Sequence, residues 1–312
     1  MISDTAEALL PVCTIMVTRN RVDLLARAIA AVLAQSAPCQ LLVIDNQSSD
    51  GTAQYLQKMA QSYPDRVKFR SLARNVGGAG GFHHGLRQAY SEGFALFWLL
   101  DDDAMADPQA LARLLAARQT REQAGNPAAF YCSKVLWRDG SLCQMNIPRP
   151  ATDTSTPPLP AHLRPVRDAT FVSLLLDRAV LQQYGLPFAQ YFIWFDDTDF
   201  TRRLSRHAPG ILCLDSIVVH ETASNEPFAL TNASKADVWK YAYGLRNETS
   251  HIGATLGLRA CLQFIGRTLK MLAGSALAAQ VKAKLSLALL RGLFFRPAIE
   301  FPSPGGQGQS HG

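Results

Sequence analysis

The chain has 312 residues, enough for one large α/β domain with an appendage or for two domains, and 48% of them are apolar, enough for a sizeable core. The net charge of +6 lies wholly in residues 251–312, which hold seven Lys/Arg against one acid, Glu300, and leave the first 250 residues neutral. A neutral body argues against nucleic acid as a partner, and no run of about 18 uninterrupted apolar residues is present to span a bilayer.

The opening segment, "MISDTAEALLPV", has acids near its start and no long apolar core, so it does not read as a signal peptide. "VCTIMVT" (12–18) predicts a buried strand. Leu24, Leu25, Ala28, Ile29, Val32 and Leu33 at helical spacing predict a helix from Asp23 to Gln35. "CQLLVIDN" (39–46) predicts a second buried strand, and Asp50-Gly51-Thr52 opens a helix to about Gln61. A third strand over 67–72 leads through a glycine-rich turn to a helix around Phe82–Ser91. A fourth strand, Phe94 to Leu100, ends in Asp101, Asp102 and Asp103. Asp107-Pro108 then reads as the N-cap and first residue of another helix.

This alternation of apolar strands and helices predicts a parallel sheet with helices on both faces, whose ligands bind beyond the carboxyl ends of the strands. The polar groups at those ends are Thr18-Arg19-Asn20, Asp45-Asn46, Asn75 and the aspartate run. Further on, strands are expected over 128–136, 169–176 and 211–220, with a long Pro/Thr/Ser-rich loop over 146–167. "YFIWFDDTDFTRRLSRH" joins aromatics to a helix that is acidic first and basic later, as the helix dipole favours. From Lys235 the chain reads as helical, and 254–296 as a basic amphipathic helix pair. Such a pair either packs on the body with a solvated edge or lies on an anionic membrane, and the confinement of net charge to it favours the membrane. "PSPGGQGQSHG" reads as disordered. The six cysteines show no C-x-x-C pair and no zinc-ligand spacing, and read as reduced core residues of a cytosolic protein.

Three like charges at a strand end repel one another and need a positive partner, which a divalent cation would supply. Asp101 and Asp103, two apart in extended chain, point to one side, and hard carboxylate oxygens suit Mg²⁺ or Mn²⁺. Asp102 points away and is expected to tolerate substitution better. In "NVGGAGGFHHG" (75–85), Gly77, Gly78, Gly80 and Gly81 would let backbone approach a ligand, with a helix N-terminus favouring an anion. The spacing is neither the dinucleotide fingerprint nor a Walker loop.

Taken together, "TIMVTRNRVDLLARAIAAVLAQS", "VIDNQSSDGT", "NVGGAGG", "WLLDDDAMADP" and "YFIWFDDTDFTRRL" resemble bacterial glycosyltransferases of family 2, over about residues 12–250, and within them a galactofuranosyltransferase and rhamnosyltransferase branch. The resemblance implies an α/β GT-A fold, a Rossmann-like sheet with helices on both faces, and a C-terminal helical tail. It divides the chain into a transferase domain (1–234, with a nucleotide-binding half over 12–125 and an acceptor half over 126–234), a helical region (235–300) and a disordered end (301–312). It places Thr18, Arg19 and Asp45 at the nucleoside. Asn75, Gly77, Gly78, Gly80 and Gly81 fall against the ribose and sugar diphosphate, with Asp101 also on the donor. Asp101 and Asp103 match the metal-binding D-x-D, and His220 either completes that site or is structural. Asp197 matches the general base, with Asp196 as its alternative or an acceptor-orienting group. Trp194 is either core or an acceptor-sugar platform. Trp239, Tyr243, Arg246 and Asn247 resemble a late motif of the branch that fixes the tail near the site; Tyr241-Ala242 departs from an aromatic pair there.

The expected activity is inverting, Mn²⁺- or Mg²⁺-dependent transfer from UDP-galactofuranose, or next dTDP-rhamnose, to a lipid-linked saccharide of the cell envelope, at the inner face of the cytoplasmic membrane. A sugar nucleotidyltransferase would need a glycine-rich basic loop after the first strand, where "TRNRVDLL" stands. A non-catalytic nucleotide-sugar-binding subunit would not need Asp101, Asp103 and Asp197.

Overall fold

A computed structural model describes residues 11–151, 159–226 and 229–303. Residues 1–10, read as carrying no signal peptide, and 304–312, read as part of a disordered end, lie outside them.

The first four strands are β1 (Val12–Thr18), β2 (Gln40–Asp45), β3 (Val67–Ser71) and β4 (Leu96–Asp101). Between them lie helices α1 (Val22–Leu33), α2 (Thr52–Ser62) and α3 (Gly77–Ser91). Then follow β5 (Ala104–Ala106), α4 (Ala110–Gln123), β6 (Tyr131–Trp137), β7 (Leu163–Val166), β8 (Ser173–Asp177), α5 (Arg178–Tyr184), α6 (Asp196–Leu204) and β9 (Gly210–His220). The chain ends in α7 (Val238–Thr255), α8 (Gly257–Gly274) and α9 (Ala279–Phe294).

All these strands join one sheet in the order β3-β2-β1-β4-β8-β6-β9-β5, with β7 on β9. The sheet is mixed, not parallel as the alternation suggested. β1 to β4 and the β6–β9 pair run parallel; β8, β5 and β7 pair antiparallel with their neighbours. Period-2 alternation sends side chains to both faces. Met16, Leu41, Val43, Trp98 and Leu100 pack under α1, α2 and α4. Ile15, Val17, Leu42, Ile44, Phe97 and Leu99 pack under α3, α5 and α6. Burial of each such side chain contributes about 1.5–3 kcal/mol, which is why the central strands are apolar throughout. All six cysteines are buried and free.

Two helix starts differ from the sequence expectation. Gly77 through Gly81 are not a turn but the opening of α3. A side chain at Gly81 would collide with Val17, one at Gly85 with Ile15, and one at Gly80 with Val76. These glycines let α3 press against β1 and its own entry. Asp107 is not an N-cap: α4 begins at Ala110. Asp107 instead accepts the Gln109 amide, and the Gln35 side chain bridges the Leu111 amide and the Asp107 carbonyl.

The C-terminal helices form their own apolar cluster around Leu245, Cys261, Ile265, Leu285 and Leu289. Gly257, with φ of +82°, breaks α7 from α8 in the left-handed region that glycine tolerates. None of the described helices is long and apolar enough to cross a membrane.

Candidate active site

Parallel register brings the ends of β1, β2 and β4 side by side, with Thr18 opposite Asp45 and Val17 opposite Asp101. β5 pairs with the end of β9, Ala104 opposite His220, and this delivers the imidazole to the aspartate run. Ligand atoms of Asp101, Asp103 and His220 all lie within 4.8 Å of one another. His220 Nε2 is 3.0 Å from Asp103 Oδ1, and Nδ1 is 2.8 Å from Asn146 Oδ1, so the ring is held at both nitrogens. Burial disfavours a charged imidazole, but the hydrogen bonds to Asp103 and Cys143, with the charges of Asp103 and Asp101, together outweigh it and raise His220 to about 10.

Part of the positive charge that the aspartates need comes from the protein. Arg21 Nη1 donates to Asp102 Oδ1 at 3.2 Å and to Asp103 Oδ2 at 2.9 Å. Asp102 does not point away from Asp103, since the two share Arg21 Nη1, and it is buried and accepts the Thr18 hydroxyl at 2.7 Å. Its expected tolerance of substitution therefore does not follow. Asp101 has no such partner: no hydrogen bond or ion pair among the described residues reaches its carboxylate. Burial, then the Asp103 charge, pushes its pKa up to about 7. Two hard carboxylates and an imidazole, one carboxylate unsatisfied, fit a divalent cation.

Asp196 and Asp197 open α6 across the cleft. Burial and then the charge of Asp197 hold Asp196 well above the usual carboxylate range. Asp197 is raised to about 6 by burial, against the opposing hydrogen bond from the Thr198 amide at 2.5 Å. The chain reaches this helix through a strained turn: Phe192, Trp194 and Phe195 have φ of 67°, 62° and 71°. Non-glycine residues in that region cost about 1–3 kcal/mol each unless the surroundings impose it. Here the fully buried Asn247 of α7 donates its amide to the carbonyls of Tyr191, Ile193 and Trp194. His251 Nδ1, 2.6 Å from Asp199 Oδ1, ties the same helix to α6.

An acidic cluster that could hold a metal ion thus lies at the strand ends of an α/β sheet, with a raised carboxylate pair at the start of α6 near it. Residues 13–167 match the family described as Glycosyl transferase family 2. The chain belongs to glycosyltransferase family 2. This enzyme is 28% identical over 225 residues to the galactofuranosyltransferase GlfT1 of Mycobacterium tuberculosis, covering 69% of this chain and 71% of that one. It is 27% identical over 203 residues to the succinoglycan biosynthesis protein ExoU of Rhizobium meliloti, covering 64% and 58%. A solved structure of GalNAc-T7 with UDP, GalNAc and Mn²⁺ superposes with a TM-score of 0.62 at 14% identity, over 90% of this chain and 55% of that chain. A mannosyltransferase from Pyrobaculum calidifontis in complex with GDP-Man and Mn²⁺ gives 0.55 at 13%, over 91% and 86%. At those identities the likeness establishes the fold, the GT-A arrangement.

The glycosyltransferase brings together Asp101, Asp103 and His220. It leaves other expected contacts differently placed. Thr18 commits its hydroxyl to Asp102. Asp45 is buried and accepts the Ser48 amide and the Ser71 hydroxyl, one on each oxygen. Arg19 is exposed at the rim. Asn75 accepts the Gly77 amide, Asn46 accepts that of Val76, and the Phe192 carbonyl accepts that of Ala79. The start of α3 is therefore capped by protein, and of the four glycines only Gly78 faces open space. Gly77 lies against the Phe192 carbonyl. Trp194 packs edge-on to Tyr241 and against Gly244, which makes it part of the joint with α7. Arg21 and Asn146 were not foreseen; no spacing in the sequence links either to the residues it holds.

Proposed function

We propose that this glycosyltransferase moves a sugar, with inversion, from a nucleotide sugar to a hydroxyl of a cell-envelope glycan, assisted by a divalent cation. The observation that carries this reading is the Asp101–Asp103–His220 cluster, opposite the raised Asp197. Those three residues would hold Mn²⁺ or Mg²⁺, which when bound would neutralise charge on a leaving diphosphate. Asp197 accepts the proton of the acceptor hydroxyl as that oxygen bonds to the anomeric carbon. The bond to the nucleoside diphosphate breaks with its electron pair on the diphosphate. Asp196, raised beside it by burial and by the Asp197 charge, orients the acceptor. Arg19 and Asp45 line the nucleoside end. Nucleotides in the two solved relatives' complexes support a nucleotide-linked donor, and the likeness to GlfT1 supports UDP-galactofuranose.

The C-terminal helices support contact with an anionic membrane at its cytoplasmic face. α9 shows Leu287, Leu290 and Phe294 on the side opposite its buried residues, flanked by Lys282, Lys284 and Arg291. The test of the donor is a panel of nucleotide sugars, UDP-galactofuranose and dTDP-rhamnose among them, followed by thermal shift and by nucleotide release with and without Mn²⁺ or Mg²⁺. UDP-galactofuranose is expected to stabilise the protein most and to be turned over only with the ion. Turnover of neither sugar would overturn the reading.

A further inference from the structure

His220 meets the aspartates with one ring nitrogen, and the other is answered from a different part of the sheet. β6 runs parallel to β9 with Trp137 opposite His220, so the loop that follows β6 passes over the end of β9. That loop is tied down on both sides. The Trp137 indole N–H donates to the Thr222 carbonyl at 3.1 Å. Asn225 accepts the Gln144 amide at 2.8 Å and donates to the Leu142 carbonyl at 3.0 Å. The Cys143 amide returns to the Val135 carbonyl, and the Asn146 amide to the Cys143 carbonyl. This path carries Asn146 inward, where it is 6% exposed. Its Oδ1 lies 2.8 Å from His220 Nδ1, and its Nδ2 donates to Thr170 Oγ1 at 2.8 Å. The Cys143 sulfur, a weak acceptor, lies 3.8 Å from the same Nδ1.

We propose that Asn146 is a positioning residue for the cation: it holds a hydrogen of His220 on Nδ1 and so leaves Nε2 as the atom that binds the ion. An amide oxygen only accepts, so Nδ1 carries hydrogen wherever this bond is made. A neutral imidazole has one such hydrogen, and its lone pair is then on Nε2. That nitrogen is 3.0 Å from Asp103 Oδ1, inside the Asp101–Asp103–His220 cluster. A proton on Nε2 leaves to solvent as an ion takes its place. The Thr170 bond keeps Nδ2 on the far side of the amide and Oδ1 on the imidazole. An acceptor on the ring nitrogen remote from a metal fixes the plane of the ring and raises the basicity of the nitrogen that ligates. Asn146 does this as a neutral group, so no further negative charge joins Asp101, Asp102 and Asp103. The inference rests on the cation reading of the site and names the residue that tunes its affinity.

The test uses the whole protein and Mn²⁺ alone, with the free ion read by electron paramagnetic resonance. Wild type is expected to bind, and Asn146→Leu, which keeps the bulk and removes the acceptor, to bind about 10–100-fold more weakly. Asn146→Asp restores an acceptor and is expected to bind within about threefold of wild type or more tightly. In a His220→Ala background, Asn146→Leu is expected to change the affinity by less than about twofold, because a residue that acts through His220 has nothing left to act on. Thr170→Val releases Nδ2 without touching the imidazole; it is expected to weaken binding in the same direction and takes over the test if Asn146→Leu does not fold. Long-range ¹H–¹⁵N correlation of His220, in protein loaded with diamagnetic Zn²⁺, locates the hydrogen, which is expected on Nδ1. Three results would each overturn the role of Asn146: hydrogen on Nε2 in the loaded protein, equal affinity of the folded variant and wild type, or the same loss with and without His220. No Mn²⁺ binding by folded wild type overturns the cation reading itself, and the inference with it.

Discussion

Asp197 sits where burial outweighs the hydrogen bonds of Thr198 and leaves the carboxyl with a pKa of about 6. A general base works unprotonated, so its rate is full above that pH and is lost as pH falls through it. Transfer is expected to decline below about pH 6 with a single ionisation, and Asp197→Asn to reduce kcat roughly 10²–10⁴-fold while donor binding persists. A pH–rate profile of wild type beside isothermal titration of the variant checks both; an unchanged kcat would remove the base from Asp197. Asp102 makes a different demand. Its loss leaves the buried Thr18 hydroxyl without an acceptor and removes one of the two carboxylates that Arg21 holds. Asp102→Ala is expected to destabilise the fold by about 1–3 kcal/mol, read from urea midpoints, and a neutral result would restore the tolerance expected from alternation alone. Asp101 and Asp103 were legible as an acidic run at a strand end and His220 as the last residue of its strand, whereas Asp197, in the first turn of a helix, was singled out through the family resemblance. The partners that hold them were not: Arg21 lies 81 residues from Asp102 and Asn146 lies 74 from His220, and only the folded sheet makes them neighbours.

At the scale of elements, α3 shows how one composition serves two purposes. A run of glycines reads equally as a ligand-cradling turn and as a helix face pressed on a strand, and the sequence of the run does not distinguish them. Contact geometry does. Gly81→Ala forces a methyl group into Val17 and is expected to cost about 1–3 kcal/mol by overpacking. Gly78→Ala meets open space within a helix and is expected to stabilise by about 0.5–1 kcal/mol. Thermal midpoints of the two variants decide; similar losses at both would return the segment to a strained turn. The central strands were legible because they are buried on both faces and apolar throughout, and β1 spans the residues expected of it. β5 and β7 were not, since three or four residues carry no readable period. Their antiparallel pairing with β9, together with that of β8 between β4 and β6, turns an expected parallel sheet into a mixed one, and β5 is also what sets Asp103 beside His220.

At the scale of the molecule, a neutral body carries basic C-terminal helices, and the proposed membrane contact depends on how the two are joined. α8 and α9 are not a detached tail. α7 holds the loop before Asp196 through Asn247, α9 packs on α7, and Glu300 reaches back to His83 and Arg87 on α3. A force on these helices is therefore a force on the loop before Asp196, and a membrane that held them would hold the candidate site at a fixed height above it. Each basic residue near an anionic surface contributes about 1 kcal/mol, so reversing Lys282, Lys284 and Arg291 to Glu removes at least about 3 kcal/mol, roughly 150-fold in partitioning. Co-sedimentation with phosphatidylglycerol vesicles is expected to show wild type bound at low salt and released as screening rises, with the triple variant free throughout. Phe294→Ser tests the other contribution: it is expected to weaken binding even where charge is screened, because the exposed apolar stripe is independent of salt. Equal partitioning onto neutral and anionic vesicles, unmoved by the triple reversal, would leave the stripe as a contact for protein and the positive helices as a solvated edge.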